Sequence, residues 1–141
     1  MSVAVDRFRR ALHPFNAVLL GGVISLFLAA LLSDIAYFRT YEIQWNNFSS
    51  WLLVGGLVVT AIAFFCAIGE WFRLRWRVWP GLIHALLVVA TWVLGFVDVL
   101  EHAKDAWATM PGGLVLSGIT VAVACVALWI AFAGMGAGEA T

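Results

Sequence analysis

Apolar residues in this chain fall into four long blocks, and the charged residues lie almost wholly between them. The blocks run from about Pro14 to Leu32, Ser50 to Trp71, Pro80 to Leu100 and Pro111 to Ala133. Each matches the roughly 20 residues that a helix needs to cross a hydrocarbon core. Lipid offers backbone N–H and C=O groups no partner, so only helices or closed barrels span it. Runs this long, continuous and rich in Leu and Ala do not fit barrel strands. The pattern predicts an all-α integral membrane four-helix bundle, up-down-up-down, with residues 1–141 as a single four-span domain.

The boundaries have local support. Pro14, Pro80 and Pro111 each open an apolar block, and proline suits the first helical turn, where its missing N–H has no partner to lose. The second block has no proline, and Ser49 or Ser50 is the expected cap. Within the blocks, small residues recur at helical spacing. Gly56, Thr60, Ala63, Ala67 and Glu70 form one stripe; Gly113, Ser117, Thr120, Ala124, Ala127 and Ala131 form another. Such stripes let helices approach closely in lipid, within a bundle or against a partner's helices. The last glycines, Gly134, Gly136 and Gly138, read as a floppy tail.

Composition agrees with the class. Apolar residues make up 64% of the chain and charged residues 11%, a balance under which a soluble monomer would aggregate. The net charge is zero, which argues against a nucleic-acid partner. Cys66 and Cys125 both lie in apolar runs and read as small buried hydrophobes. The basic N-terminus followed by an apolar stretch resembles a signal peptide. It lacks an A-x-A cleavage pattern and reads as a retained first span.

Charge placement predicts orientation. Arg7, Arg9 and Arg10 precede the first span, and Arg73, Arg75 and Arg77 join the second to the third. The other two links hold only Arg39 and Lys104, beside Asp34, Glu42, Asp98, Glu101 and Asp105. By the positive-inside rule both termini are cytoplasmic, and the links at about 34–49 and 101–110 face outward. Trp45, Trp51 and Trp107 then fall at the outer interface. Trp71, Trp76, Trp79 and Trp129 fall near the inner one, and Trp92 is left in mid-membrane as a packing residue. The arginines interleaved with Trp76 and Trp79 are expected to contact lipid headgroups.

Ionisable residues inside spans are costly and mark function by default. His13 and His84 open the first and third spans at matched depth. Two imidazoles facing across a bundle core can ligate one haem iron. The plainer alternative makes His13 an interfacial cap and lets His84 bond a backbone carbonyl or a carboxylate. Glu70 is expected to pair with an arginine, or else to orient His84 by accepting its second ring proton. At the opposite end, heptad steps lead from His84 through Thr91 to Asp98, and Asp98 and His102 stand four apart on one helix face. His13, Leu20, Phe27 and Asp34 step likewise along the first helix, so Asp34 is expected to meet Asp98 and His102. Three readings stay open for this outer rim: a water-solvated edge with local salt bridges, a metal site, or a place where protons enter.

Several short motifs resemble one bacterial membrane-domain family, catalogued as domain of unknown function 2231. They are His13-Pro14, Ser33-Asp34 closing the first span, Gly69-Glu70 closing the second, His84-Ala85 opening the third, and Pro111-Gly112-Gly113 with Leu116-Ser117 opening the fourth. The likeness covers nearly the whole chain. Two features depart from the family pattern: Leu86, Leu87 and Val88 stand where an Asn is common, and the segment after Gly134 has no His or basic residue. The resemblance implies four spans in the bacterial inner membrane and no settled activity. Because family domains occur fused to iron–sulfur or dehydrogenase domains, it also implies a redox setting. The resulting expectation is a non-catalytic electron-transfer or anchor subunit holding haem b between His13 and His84. Its partners would be lipid and either a redox subunit or a second copy of the chain. A cofactor-free structural or assembly subunit is the alternative, followed by a small transporter or proton path through Asp34, Asp98 and His102.

Overall fold

In the computed structural model the backbone is described for residues 14–73 and 79–136, and side chains for residues 18–66, 68 and 82–130. Four long helices carry the fold: α1 (Pro14–Thr40), α2 (Ile43–Arg73), α3 (Trp79–His102) and α5 (Gly112–Gly136). A single turn, α4 (Ala106–Thr109), bridges the last two. All four long helices are apolar enough over at least 19 residues to cross a membrane.

The helices extend beyond the apolar blocks. The segment expected to link the first two spans is almost entirely helical, and only Tyr41 and Glu42 interrupt it. The chain turns there because Tyr41 adopts a left-handed backbone conformation, φ 56°. Its N–H still reaches the Tyr37 carbonyl at 2.7 Å. This conformation is unfavourable for a residue with a side chain. Contacts hold it: the Tyr41 ring stacks on Trp107 at 5.8 Å and meets Tyr37 edge-on at 6.2 Å. The restart at Ile43 puts Ser49 inside a helix rather than at its cap. At the far end α5 runs on through Gly136, so Gly134 and Gly136 belong to a helix and not to a tail.

The buried positions follow one rule on every long helix, with steps of three and four in alternation. They are 20, 23, 27, 30, 34 and 37 on α1, where Ser33 is buried beside Asp34 as well, and 46, 49, 53, 56, 60 and 63 on α2. On α3 they are 84, 88, 91, 95, 98 and 102, and on α5 they are 113, 117, 120, 124 and 127. A mean step of 3.5 residues is the seam of a left-handed bundle, because it keeps one face toward its neighbours as the helices wind. The helices pack in a ring: α1 on α2, α2 on α3, α3 on α5 and α5 back on α1. Thus α1 faces α3 across the centre.

The seam mixes small and polar residues with an apolar cluster of Val23, Phe27, Ala30, Leu53 and Ala124, whereas the outside is large and apolar. Phe27 is the largest fully buried side chain among the described residues. Its ring lies between two glycines: a Cβ on Gly56 would come within 2.7 Å of it, and one on Gly95 within 3.1 Å. Val58, Ile62, Phe65, Leu86 and Val93 face outward. Trp92 does too, stacked on Phe96 at 5.5 Å rather than packed inside. Cys125 is exposed and Cys66 half-buried, so neither is the core residue expected. In lipid, outward apolar groups lose nothing, and close packing and polar contacts hold the interior.

Candidate functional site

Where α1 ends, α2 and α5 begin and α3 ends, the seam positions are Asp34, Ser49, Asp98, His102 and Ser117. Each long helix contributes at least one of them. Asp34 and Asp98 are 0% exposed and His102 is 5% exposed, so this is a buried site and not a solvated rim. His102 is at its centre. Its Nε2 lies 2.8 Å from Asp34 Oδ1, spanning the bundle from α3 to α1. Its Nδ1 lies 2.9 Å from the Asp98 carbonyl and 3.2 Å from Asp98 Oδ1. The Ser117 hydroxyl stands between the two acids. It is hydrogen-bonded to Asp34 Oδ2 and lies 2.8 Å from Asp98 Oδ2. Ser49 Oγ donates to the Ala30 carbonyl at 3.2 Å and lies 3.4 Å from His102 Nε2.

Two glycines open the space for this cluster. A Cβ on Gly113 would fall 2.9 Å from His102 Cε1 and 2.8 Å from Thr109 Cγ2. Gly112 borders the Glu101 carboxylate, which pairs with Lys104 at 2.6 Å on the surface. The first turn of α5 can therefore press against the imidazole only because Gly113 has no side chain. Thr109 closes the edge, with its hydroxyl 3.4 Å from the carbonyls of Glu101 and Asp105.

Sequence reasoning had brought together Asp34, Asp98 and His102 but missed Ser117 and Ser49. From sequence Ser117 is a small packing residue and part of the Leu116-Ser117 motif, and Ser49 is a helix cap. The signal for both was their place in the three-and-four seam. The described members of the small-residue stripes are likewise packed inside the chain's own bundle. Gly56, Thr60 and Ala63 are buried there, as are Gly113, Ser117, Thr120, Ala124 and Ala127.

The described residues give no support to the other expected site. Among the described residues there is no group of three or more His, Cys, Asp or Glu that can hold a metal ion. His84 is buried, and its Nδ1 lies 3.2 Å from the Ala127 carbonyl of α5, which ties α3 to α5. His13 and the Glu70 side chain lie outside the described residues, as do the side chains of Arg73, Arg75 and Arg77. The haem b reading of His13 and His84 is therefore corrected, and with it the electron-transfer role it supported. A metal held by Asp34, Asp98 and His102 is corrected on the same finding, since these groups satisfy one another instead.

Four apolar helices around a buried polar cluster define a multi-pass membrane protein of the bacterial inner membrane. Residues 10–135 match the family described as "predicted membrane protein (DUF2231)", and the chain belongs to that family. No curated protein and no solved structure matches it.

Proposed function

We propose that this protein is a proton-binding membrane subunit. In this reading the Asp34–Asp98–His102–Ser117 network takes up and releases protons and ties its charge state to the packing of all four spans. One observation carries the reading. Two carboxyl groups and an imidazole, wholly buried at one end of the bundle, share a continuous set of hydrogen bonds drawn from α1, α3 and α5. Ionisable groups inside a membrane are costly to keep, and proton relays are built from Asp, Glu and His. The charge pattern supports an up-down-up-down bundle with both termini cytoplasmic, so the network opens toward the outer face. The whole chain acts as one domain. Lipid is its main partner, joined by a second copy or another subunit.

The competing reading treats the same network as a clasp that only holds the bundle together. It is supported by the reach of the hydrogen bonds across the bundle. Two measurements on the full chain in nanodiscs separate the readings: proton uptake by potentiometric titration, and tryptophan fluorescence against pH. Trp107, stacked on Tyr41 at this rim, reports the packing. The Asp34→Asn/Asp98→Asn double variant replaces both acids with amides of similar size and is compared at a temperature at which both proteins are folded. The proton-binding reading expects the native protein to show a pH-dependent signal that the double variant lacks. Identical curves for the two proteins would leave only the clasp.

A further inference from the structure

Counting donors and acceptors in the buried network fixes more than its outline. His102 Nδ1 faces the Asp98 backbone carbonyl at 2.9 Å. A carbonyl only accepts, so Nδ1 carries a hydrogen. His102 Nε2 faces Asp34 Oδ1 at 2.8 Å and Ser49 Oγ at 3.4 Å. Ser49 has one hydroxyl hydrogen, and it goes to the Ala30 carbonyl. Toward His102 it offers only a lone pair, so with Asp34 ionised the hydrogen between Nε2 and Oδ1 sits on Nε2. Both ring nitrogens donate, and His102 is an imidazolium.

The same count applies at Ser117. Its hydroxyl has one hydrogen and two carboxyl oxygens within reach, Asp34 Oδ2 and Asp98 Oδ2. Were both acids ionised, one of these contacts would set two lone-pair-bearing oxygens together with no hydrogen between them. One acid therefore holds a proton, as in other buried carboxylate pairs, where like charges disfavour double ionisation. The surroundings of the two acids differ. Asp34 accepts the imidazolium N–H on Oδ1 and the serine hydroxyl on Oδ2. Asp98 Oδ1 is buried with no hydrogen bond: it lies 3.2 Å from Nδ1, whose hydrogen points to the carbonyl instead.

We infer that Asp98 is the acid that holds the exchangeable proton, with Asp34 and His102 a standing ion pair and Ser117 the link between the two carboxyl groups. The chain of donation runs Asp98 Oδ2–H to Ser117 Oγ, Ser117 Oγ–H to Asp34 Oδ2, and His102 Nε2–H to Asp34 Oδ1. The charges then cancel: imidazolium plus one, Asp34 minus one, Asp98 zero. A buried site in a low-dielectric medium favours such cancellation. Release of the Asp98 proton leaves a net negative charge, and its return restores neutrality. Among the described residues, the titratable groups that meet Asp98 are His102 on its own helix and, through Ser117 of α5, Asp34 of α1. From α2 comes the uncharged Ser49, and the nearby surface charges Glu101 and Lys104 neutralise each other.

This placement rests on the proton-binding reading and deepens it by naming the group that binds. The test is infrared spectroscopy of the full chain in lipid bilayers, in light and heavy water at neutral pH, with thermal unfolding measured on the same samples. The native protein should show the carbonyl band of one protonated carboxylic acid, shifted in heavy water. Asp98→Asn should remove that band and leave the unfolding temperature near native, because the amide donates to Ser117 as the acid does. Asp34→Asn should lower the unfolding temperature sharply, because His102 loses its anion. A band that survives Asp98→Asn, or an Asp98→Asn protein as unstable as Asp34→Asn, would overturn the assignment to Asp98 while leaving proton binding standing. No protonated-acid band in the native protein at any pH at which it is folded would overturn both.

Discussion

Individual side chains at the network are constrained more by their neighbours than by their own chemistry. Gly113 is the plainest case, because a methyl group there meets both His102 and Thr109 under 3 Å. Gly113→Ala should therefore destabilise the bundle by about 1–3 kcal/mol, the usual cost of overpacking. Gly118, one turn further on, has nothing within 4 Å of such a methyl, so Gly118→Ala is the matched control and should be near neutral. Denaturation in mixed micelles reads both; equal losses would mean that α5 does not press on the imidazole. His102→Ala goes further by stranding Asp34 in the bundle interior. Removing one partner of a buried ion pair costs roughly 3–5 kcal/mol. The same denaturation series should place this variant well below Gly113→Ala, and a loss no larger than that of Gly113→Ala would contradict the ion pair.

The decisive packing event between helices is the seat of Phe27 of α1 between Gly56 of α2 and Gly95 of α3. Three helices meet on one ring. Phe27→Ala should cost about 3–5 kcal/mol through the cavity it leaves. Gly56→Ala should also destabilise, because its Cβ would overlap the ring. The double variant Phe27→Leu/Gly56→Ala should lose less than the sum of its parts, since the smaller side chain yields the space the methyl needs. Additive losses in a double-mutant cycle would show that the two positions do not share a slot. The sequence marked Phe27 as one of a heptad series and Gly56 as one of a small-residue stripe. Neither pattern states that they face each other, because a periodicity belongs to one helix and a contact belongs to two.

For the whole molecule, the membrane orientation proposed from loop charge is open to direct test. Lys104 lies on the surface at the network rim, and Arg75 lies in the basic link between the second and third spans. In a Cys66→Ala/Cys125→Ala background, Lys104→Cys should react with a membrane-impermeant maleimide in intact cells. Arg75→Cys should react only after the membrane is opened. The reverse pattern would turn the bundle over and open the proton site toward the cytoplasm. The ring arrangement matters for the network as well. Because α1 faces α3 across the centre, the Asp34–His102 bond braces the bundle along its diagonal, as the contact of Phe27 with Gly95 does deeper in the seam.

Much of this protein was legible from the order of its residues. Hydropathy and the prolines predicted four spans because lipid constrains each helix alone, whatever its neighbours are. Heptad steps put Asp34, Asp98 and His102 on inward faces for the same reason: facing is a property of a single helix. Ser33-Asp34, His84-Ala85 and the other short motifs were enough to indicate the family. Only the tertiary structure decided which inward polar groups meet. His84 and His102 look alike in sequence, each a histidine at a span end. One bonds a backbone carbonyl of α5, and the other joins two carboxyl groups from α1 and α3. The haem expectation failed at this step, because matched depth says nothing of which side chains already have partners. Burial of the acid cluster also depended on assembly. The outer link coiled into helix up to Thr40 and again from Ile43, and α5 closed over His102 through Gly113. What read as a solvated edge became an interior, and the polar cluster there is held by geometry that no single helix contains.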